Sequence, residues 1–281
     1  MTARDLVAGT GLSRPTVIAL LPALETDGLV RSQDQESTSP GRPASTWSIA
    51  PDAGLVIGID LLVESALIAT ARVAGEILTA ELIGDVPKES GDRMAALTAL
   101  IDRHISEHSG NGPLRALSIS TTGTVDADGT VMNSTTVPCW SGFALGRRLS
   151  DLYDLPVRVE NDINASAYGE FVLRRGEGQL DDGDDLLLVA LSRSVLTGLV
   201  MGGQIHRGRG FTAGEIGLIV SEGPDPEEGH LAHAAEVIGS AAAVLDPSVI
   251  VISVPMAQLP DAVGEINSHL RKSRAASATP L

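Results

Sequence analysis

The chain of 281 residues has a single cysteine, Cys139, and only 2% of its residues are aromatic. One cysteine excludes an internal disulfide and any metal site built from several thiolates. The core must therefore consist of aliphatic side chains, which a hydrophobic content of 43% allows. No apolar run reaches the roughly 18 residues that a membrane span needs, and the N-terminus lacks the apolar core of a secretory signal. These absences predict a cytoplasmic protein with no membrane partner.

Positive charge is also scarce, since 20 lysines and arginines face 36 aspartates and glutamates and the net charge is −16. Such a balance excludes a chain that coats nucleic acid or anionic membrane with its whole surface. It leaves room for one small module that reads DNA. Residues 1–49 are close to neutral, with four arginines against five acidic residues.

The first 49 residues have a pattern of their own. A short segment with helical spacing comes first, and a second one follows with Ser13 as N-cap and Pro15 in its first turn. Gly28 ends this second helix, and two strands over Val30–Ser32 and Ala44–Ile49 follow, joined by a polar loop. Helix, short turn, helix and hairpin is the order of a winged helix-turn-helix.

In a helix-turn-helix the second helix enters the major groove, and its first residues face the DNA. The candidate DNA-contacting residues are therefore Ser13, Arg14 and Thr16, together with Arg42 in the predicted wing. A winged helix that binds protein instead of DNA is the alternative. Pro22 lies in the middle of the second helix and predicts a kink there, because proline removes one backbone hydrogen bond.

From residue 55 onward, strand patterns alternate with helical ones, as in "LVIGIDLL", "GDRMAALTALIDRHISEH" and "LRALSIS". This alternation predicts an α/β protein with layered sheets and crossover helices. The predicted domains are residues 1–49, a first α/β lobe over 50–155 and a second, shortened lobe over 156–281. The tail that begins at Arg271 is predicted to be disordered.

The stretch "VENDINASAYGE" places three polar residues where a strand meets a helix. A buried-looking strand, Leu155–Val159, precedes Glu160, Asn161 and Asp162. Asparagine and aspartate are good N-caps, which is one reading of the stretch. The other is a ligand site, because α/β proteins bind ligands at the carboxyl ends of their strands.

Four segments occur in an order that resembles the ROK family of bacterial sugar-responsive repressors and sugar kinases: "ISTTGTVDADGTV", "VPCWSGFALGRRL", "PVRVENDINASAYGE" and "GRGFTAGEIG". "TGLSRPTV", "LETDGLV" and "GRPAS" resemble the winged helix of the repressor branch. The resemblance covers about residues 10–255. It implies a winged helix-turn-helix followed by a two-lobed, actin-like ATPase (ribonuclease H-like) body, which is incomplete here because the closing C-terminal helices are missing.

The resemblance also implies a sugar site. Asn161 and Asp162 match the family's Asn–Asp pair, which binds sugar hydroxyls, and the aspartate is the general base in the kinases. Asp162 would then be a vestigial catalytic base. Glu215 matches the sugar-contacting glutamate of the "AGEIG" motif, and Gly123 matches a glycine that lets backbone approach the sugar ring.

The nucleotide half departs from the family pattern. The kinases bind phosphate with glycine-rich loops, whose backbone N–H groups form an anion nest. After the first strand only Asp60 remains of that loop as a remnant, and residues 62–64 carry bulky or acidic side chains. The later loops at 192–198 and 252–256 have also lost most of their glycines. We therefore expect no ATP cofactor.

The family's zinc element is missing as well. Leu218 stands where relatives have a histidine, and no cysteine cluster follows it. His230 and His233 are three residues apart on a predicted helix, and two imidazoles are too few for a zinc site. We expect no metal and interpret these histidines as part of a solvated helix face.

These observations favour a transcriptional regulator with a kinase-derived sensor that no longer phosphorylates. Its expected partners are operator DNA, a sugar or sugar-phosphate effector and further copies of itself. Two alternatives stay open: a glucokinase-like ROK sugar kinase, and a degenerate paralogue that acts only through oligomerisation.

Overall fold

The computed structural model of the chain describes residues 1–34, 45–191, 195–216, 230–253 and 268. The chain forms two compact units. Unit 1 comprises Met1–Gly123 and Ala127–Val159, and unit 2 comprises Thr124–Asp126 and Glu160–Leu281. The division into domains at residues 49 and 155 stays a prediction, and the tail from Arg271 lies outside the described residues.

Among the described residues the helices are α1 (Ala3–Thr10), α2 (Arg14–Thr26), α3 (Ser90–Glu107), α4 (Leu145–Tyr153), α5 (Asp162–Gly176) and α6 (His230–Leu245). The strands are β1 (Val30–Asp34), β2 (Ser45–Ile49), β3 (Leu55–Leu61), β4 (Ala66–Arg72), β5 (Ile77–Ile83), β6 (Leu114–Thr121), β7 (Thr124–Val125), β8 (Val131–Asn133), β9 (Val157–Asn161), β10 (Leu186–Leu191), β11 (Val195–Met201), β12 (Gln204–Ile205) and β13 (Val249–Ser253).

The N-terminal elements follow the predicted order of helix, helix and two strands. The Ser13 hydroxyl caps α2 by accepting from the Thr16 backbone N–H, as the sequence predicts. α2 includes Pro22 and continues to Thr26. β1 and β2 pair antiparallel, with Val30 opposite Ile49, and β1 extends two residues beyond its predicted end.

Unit 1 contains a five-stranded sheet in the order β5-β4-β3-β6-β9. β3 is parallel to β6 and antiparallel to β4, and the tight turn between β4 and β5 contains Gly75 at φ 95°, where the sequence predicts a hairpin. Every second residue of β3 is buried, as in a strand with one face in a core. Helix α3 buries one face, and the residues on that face are spaced three or four positions apart: Arg93, Leu97, Ile101 and His104.

Strand β9 lies two residues later than predicted. It spans Val157–Asn161 rather than Leu155–Val159, so Glu160 and Asn161 belong to the strand itself. Leu155 instead belongs to the turn after α4, where its carbonyl accepts a hydrogen bond from the Ser150 hydroxyl at 2.9 Å.

Unit 2 contains a four-stranded sheet in the order β12-β11-β10-β13. β10 is antiparallel to β11 and parallel to β13, and five of its six residues are buried. On one face of β10, Leu187 belongs to a core with Ile238 of α6. On the other face, Leu188 belongs to a core with Phe171 of α5. A strand covered by helices on both faces reads as an unbroken apolar run, which explains the sequence "LLLVAL".

Among the described helices, none is long and apolar enough by itself to cross a membrane; α1 and α2 meet the length and composition criteria only when counted together, and the pair bends by 111° at its break.

Candidate functional site

Asn161 forms the N-terminal cap of α5. Its side-chain Oδ1 accepts hydrogen bonds from the backbone N–H groups of Ile163 and Asn164, both at 3.0 Å. Its backbone is extended, at φ −62° and ψ 142°, as an N-cap requires. The capping role that the sequence suggests for this asparagine is therefore confirmed.

Asp162 is the first residue of α5. Its Oδ1 accepts from the Ile163 backbone N–H at 2.9 Å, and its side chain is half-buried. The first turn of a helix favours a carboxylate, because unpaired N–H groups there carry partial positive charge. Asn161 and Asp162 thus present an amide and a carboxylate at the end of β9, in unit 2.

The carboxylate beside them, Glu160, is only 5% exposed, and the guanidinium of Arg207 binds it. Arg207 Nε donates to Glu160 Oε2 at 2.8 Å, and Arg207 Nη2 donates to the same oxygen. Arg207 follows β12, 47 residues further along the chain. No local pattern in the sequence predicts this ion pair.

Glu215 lies in unit 2, on a loop that begins near Arg207. The preceding residue, Gly214, has φ +90°, and a Cβ there would lie 2.4 Å from the Thr197 carbonyl oxygen, so only glycine fits. The Gly214 carbonyl accepts from the Thr197 hydroxyl at 2.7 Å. Thr197 therefore holds the loop that carries Glu215 against strand β11.

Gly123 has φ +97°, and a Cβ at this position would lie 2.2 Å from the carbonyl oxygen of Asn133. This contact with the backbone of residues 133–134 requires glycine whether or not a ligand approaches. Gly123 belongs to unit 1, whereas Asn161, Asp162 and Glu215 belong to unit 2.

The loop after β3 is tied down by Arg93 of α3. Arg93 Nη1 donates to the Val63 carbonyl at 2.8 Å and to the Pro87 carbonyl at 3.0 Å, and Nη2 donates to the Leu62 carbonyl. Arg93 is fully buried, and burial away from water lowers its pKa. The loop carbonyls are thus turned toward an arginine, whereas a phosphate site needs N–H groups turned toward its ligand.

Two further acidic groups lie in or beside this loop. The Asp60 carboxylate accepts from the Ser120 hydroxyl at 2.7 Å. The Glu64 carboxylate pairs with Lys88, whose hydrogen bond and charge lower the pKa of the Glu64 carboxyl. Both carboxylates therefore have partners within the chain.

A cluster of possible metal ligands lies elsewhere in unit 1. Glu81, His104 and Glu107 place ligand atoms within 4.8 Å of one another. Arg103 binds both carboxylates, at 2.8 Å and 3.5 Å. The His104 ring nitrogens, both at 2.7 Å, bond to Thr70 and to Glu81. Arg103 and the His104 ring already pair with these carboxylates, so the cluster is an ion-pair network in this structure.

The predicted DNA-contacting residues begin α2. Ser13, Arg14 and Thr16 are all exposed, and the hydroxyls of Ser13 and Thr16 bond to each other at 2.7 Å. Arg42 lies outside the described residues. Of the positions invoked for the missing zinc element, Leu218 and the side chains of His230 and His233 lie outside them too.

The N-terminal elements enclose an apolar groove of about 440 Å³, which the sequence does not predict. Val17 and Leu21 of α2 are buried beneath it, whereas Leu20, an apolar position of the same helix, is 45% exposed.

Layered α/β units, with a polar cluster where a sheet strand passes into a helix, define the mixed α/β, actin-like class of fold. The sequence matches the ROK family over residues 56–230, and the chain belongs to that family.

The chain is similar to both regulators and kinases of this family. It is 26% identical to the xylose repressor of Bacillus subtilis over 74% of its own length and 53% of that protein. A ROK family transcriptional regulator, homologous to the E. coli MLC protein, matches 97% of this chain and 84% of its own, with a TM-score of 0.71 and 18% identity. A ROK hexokinase from Thermus thermophilus matches 78% of this chain and 88% of its own, with a TM-score of 0.62 and 20% identity.

The family relatives of this chain thus include both repressors and sugar kinases. The chain spans between 36% and 53% of the length of the curated relatives that it matches.

Proposed function

We propose that the chain is a ROK-type transcriptional regulator whose body binds a sugar and does not transfer phosphate. The observation that carries the proposal is the N-terminal succession of α1, α2, β1 and β2, which precedes the matched residues 56–230. The regulator structure aligns with 97% of the chain, whereas the hexokinase structure aligns with 78%. An additional module ahead of a sugar-kinase fold is what a DNA-binding member needs.

The proposed DNA contacts come from α2, in a winged helix-turn-helix over residues 1–49. Arg14 is exposed at the first position of this helix, where backbone N–H groups favour a phosphate. Ser13 and Thr16 lie within the same turn. Arg42 is proposed as the wing contact on the sequence alone.

The proposed effector is a sugar or a sugar phosphate, held by Asn161, Asp162 and Glu215. Carboxylate and amide groups suit sugar hydroxyls, because they accept and donate several directional hydrogen bonds. The contact of the Gly123 backbone with a sugar ring stays a prediction from the sequence resemblance. Effector binding would change DNA affinity by favouring one of two conformations of the body.

Loss of phosphotransfer is supported by the loop at residues 62–64. Arg93 donates hydrogen bonds to the carbonyls of Leu62 and Val63, and the neighbouring Glu64 side chain is paired with Lys88. Phosphoryl transfer depends on positioning and charge stabilisation of the phosphates, which this loop does not offer. Asp162 is then a sugar ligand and a vestigial base. The proposal includes homo-oligomerisation and a cytoplasmic location, where a regulator meets DNA.

DNA binding is tested by selecting a target from a random duplex library and measuring its affinity by fluorescence anisotropy. Arg14→Ala should weaken binding and reduce the salt dependence by about one phosphate contact, since each contact releases counterions. Arg147→Ala, an exposed arginine on α4, is the matched control. If Arg14→Ala binds the selected target as well as the parent protein, the proposed docking is wrong.

Phosphotransfer is tested with ATP and D-glucose, D-xylose or N-acetylmannosamine in a coupled ADP assay. We expect no turnover above background. Sugar-dependent turnover that disappears in Asp162→Asn would overturn the regulator proposal in favour of a kinase. The same sugars are tested by thermal shift, where saturating ligand at about a hundredfold excess over Kd stabilises by about 2.7 kcal/mol.

A further inference from the structure

The carboxylate of Glu160 is buried, and each of its oxygens has partners within unit 2. Oε1 accepts from the backbone N–H of Asn161 at 3.1 Å and from Asn164 Nδ2 at 3.3 Å. Oε2 accepts from Nε and Nη2 of Arg207. Glu160 is therefore bonded to the backbone of Asn161 and to the first turn of α5, and it is saturated with donors.

Arg207 is in turn hydrogen-bonded to the loop that leads to Glu215. Its backbone carbonyl accepts from the Ala213 N–H at 3.1 Å, which closes the loop of residues 207–213. Glu215 follows two residues later, and its own N–H donates to the Thr212 carbonyl at 3.2 Å. The side chain of Arg207 reaches Glu160 while its backbone shapes the segment that leads to Glu215.

We infer that the Glu160–Arg207 ion pair is a positioning pair that sets the spacing between Asp162 and Glu215 for one bound sugar. The inference rests on the proposed sugar site. Glu160 does not contact the sugar in this scheme, because both of its oxygens already accept hydrogen bonds. The pair acts by joining the end of β9 to the loop that carries Glu215.

The chemistry of the pair favours positioning over simple stabilisation. Burying two charges costs desolvation energy that their attraction often fails to exceed, so a buried ion pair is weak support for stability. Arg207 does, however, donate from two atoms of its planar guanidinium, Nε and Nη2, to the single oxygen Oε2 of Glu160. Because these donors are rigidly arranged, the pair restricts the orientation of the guanidinium relative to that oxygen. Since the two residues are 47 positions apart, that geometry is imposed on two separate segments.

The same loop carries two more constraints. Phe211 adopts φ 58°, in the left-handed region that is unfavourable for an aromatic residue. Gly214 lies against the Thr197 carbonyl at a distance that admits no Cβ. A loop held in an unfavourable backbone conformation needs fixed ends, and Arg207 provides one of them.

The test compares Arg207→Met, Arg207→Lys, Glu160→Gln and the double variant Glu160→Gln/Arg207→Met in the full chain. Arg175→Met is the matched control, because it removes an exposed ion pair with Asp182, at 2.9 Å, in the same unit. Each protein is titrated with D-glucose, D-xylose and N-acetylmannosamine by calorimetry. Hydrogen exchange of segments 160–165 and 208–216 is measured without ligand.

For the sugar that the parent protein binds, Arg207→Met should raise Kd by about tenfold or more, and Arg207→Lys should recover part of the loss, since coupled sites interact at this scale. The double variant should lose no more than the worse single variant. In the exchange experiment, Arg207→Met should accelerate segments 160–165 and 208–216 together and leave other core segments unchanged. Arg175→Met should alter neither measurement.

The inference is overturned if Arg207→Met binds sugar like the parent, or if its hydrogen exchange rises in residues 208–216 alone. Global acceleration of exchange would also overturn it, because the pair would then be a general stabiliser. If the parent binds none of the three sugars, the effector assignment fails, and the exchange experiment still decides whether the pair joins the two segments.

Discussion

The guanidinium of Arg93 lies over the indole ring of Trp140, with Cζ 5.1 Å from the ring centroid, while its N–H groups bind the carbonyls of the loop after β3. The fully buried guanidinium thus donates the hydrogen bonds that water would otherwise give to the carbonyls of Leu62, Val63 and Pro87. These hydrogen bonds hold the loop after β3 against helix α3.

Replacing Arg93 should therefore destabilise unit 1. Arg93→Met leaves three partly buried carbonyls without their donor and loses the contact with the ring, which should cost about 2–4 kcal/mol. Urea denaturation measures the loss. Arg147→Met, which removes an exposed pair with Asp151, should change stability by less than about 0.5 kcal/mol. Equal stability of the two variants would show that Arg93 does not hold the loop.

Gly123 should tolerate alanine less well than Gly142. Both have positive φ, +97° and +77°, but a Cβ at 142 meets no atom within 4 Å. Gly142→Ala should cost only the backbone strain of about 1–2 kcal/mol. Gly123→Ala should cost about 2–5 kcal/mol, because strain and overpacking against Asn133 add. Thermal unfolding of both variants checks this order, and a smaller loss for Gly123→Ala would contradict the close contact.

Ser13 should be needed for the stability of α2. Ser13→Ala removes the side-chain acceptor of the Thr16 N–H and should cost about 1 kcal/mol. Ser13→Asn, which keeps a capping side chain, should lose little. Circular dichroism during thermal unfolding compares the two. A Ser13→Ala protein as stable as Ser13→Asn would mean that the cap is dispensable.

Glu81 should make stability dependent on acid pH. The hydrogen bond from Arg103, and in addition that from His104, holds the pKa of the Glu81 carboxyl below 4.5 in the folded chain. A lowered folded-state pKa means that its contribution is present above about pH 4.5 and is lost as pH falls through the folded value. The difference in unfolding free energy between the parent and Glu81→Gln should therefore shrink as the pH falls from 6 to 3. These two pH values lie above and below the ordinary glutamate pKa of about 4.5.

Arg103→Met provides the control for this titration, because Arg103 is the largest cause of the lowered pKa. In the Arg103→Met background the pH dependence of the Glu81→Gln difference should be smaller. A difference that stays constant with pH in the parent background would rule out the ion-pair explanation.

Local signals predicted the elements well where the chain itself carries them. The Ser13 cap and the apolar run of β10 were read correctly because caps and runs are short-range features. The start of β9 was two residues wrong, because Leu155 is used by the turn after α4 rather than by the sheet. Asn161 and Asp162 were found through the motif, and their sugar-binding role stays a prediction.

The sequence alone determined the order of helices and strands, the family and the absence of glycines at residues 62–64. Periodicity, capping residues and loop composition depend only on residues that are close together in the sequence. Only the tertiary structure decided what Arg93, Glu160 and Arg207 do. A charged side chain finds its partner through folding, and partners 30 or 47 residues apart leave no local pattern. Burial makes those contacts energetically important, because a charge removed from water must be matched by hydrogen-bond donors or acceptors in the protein.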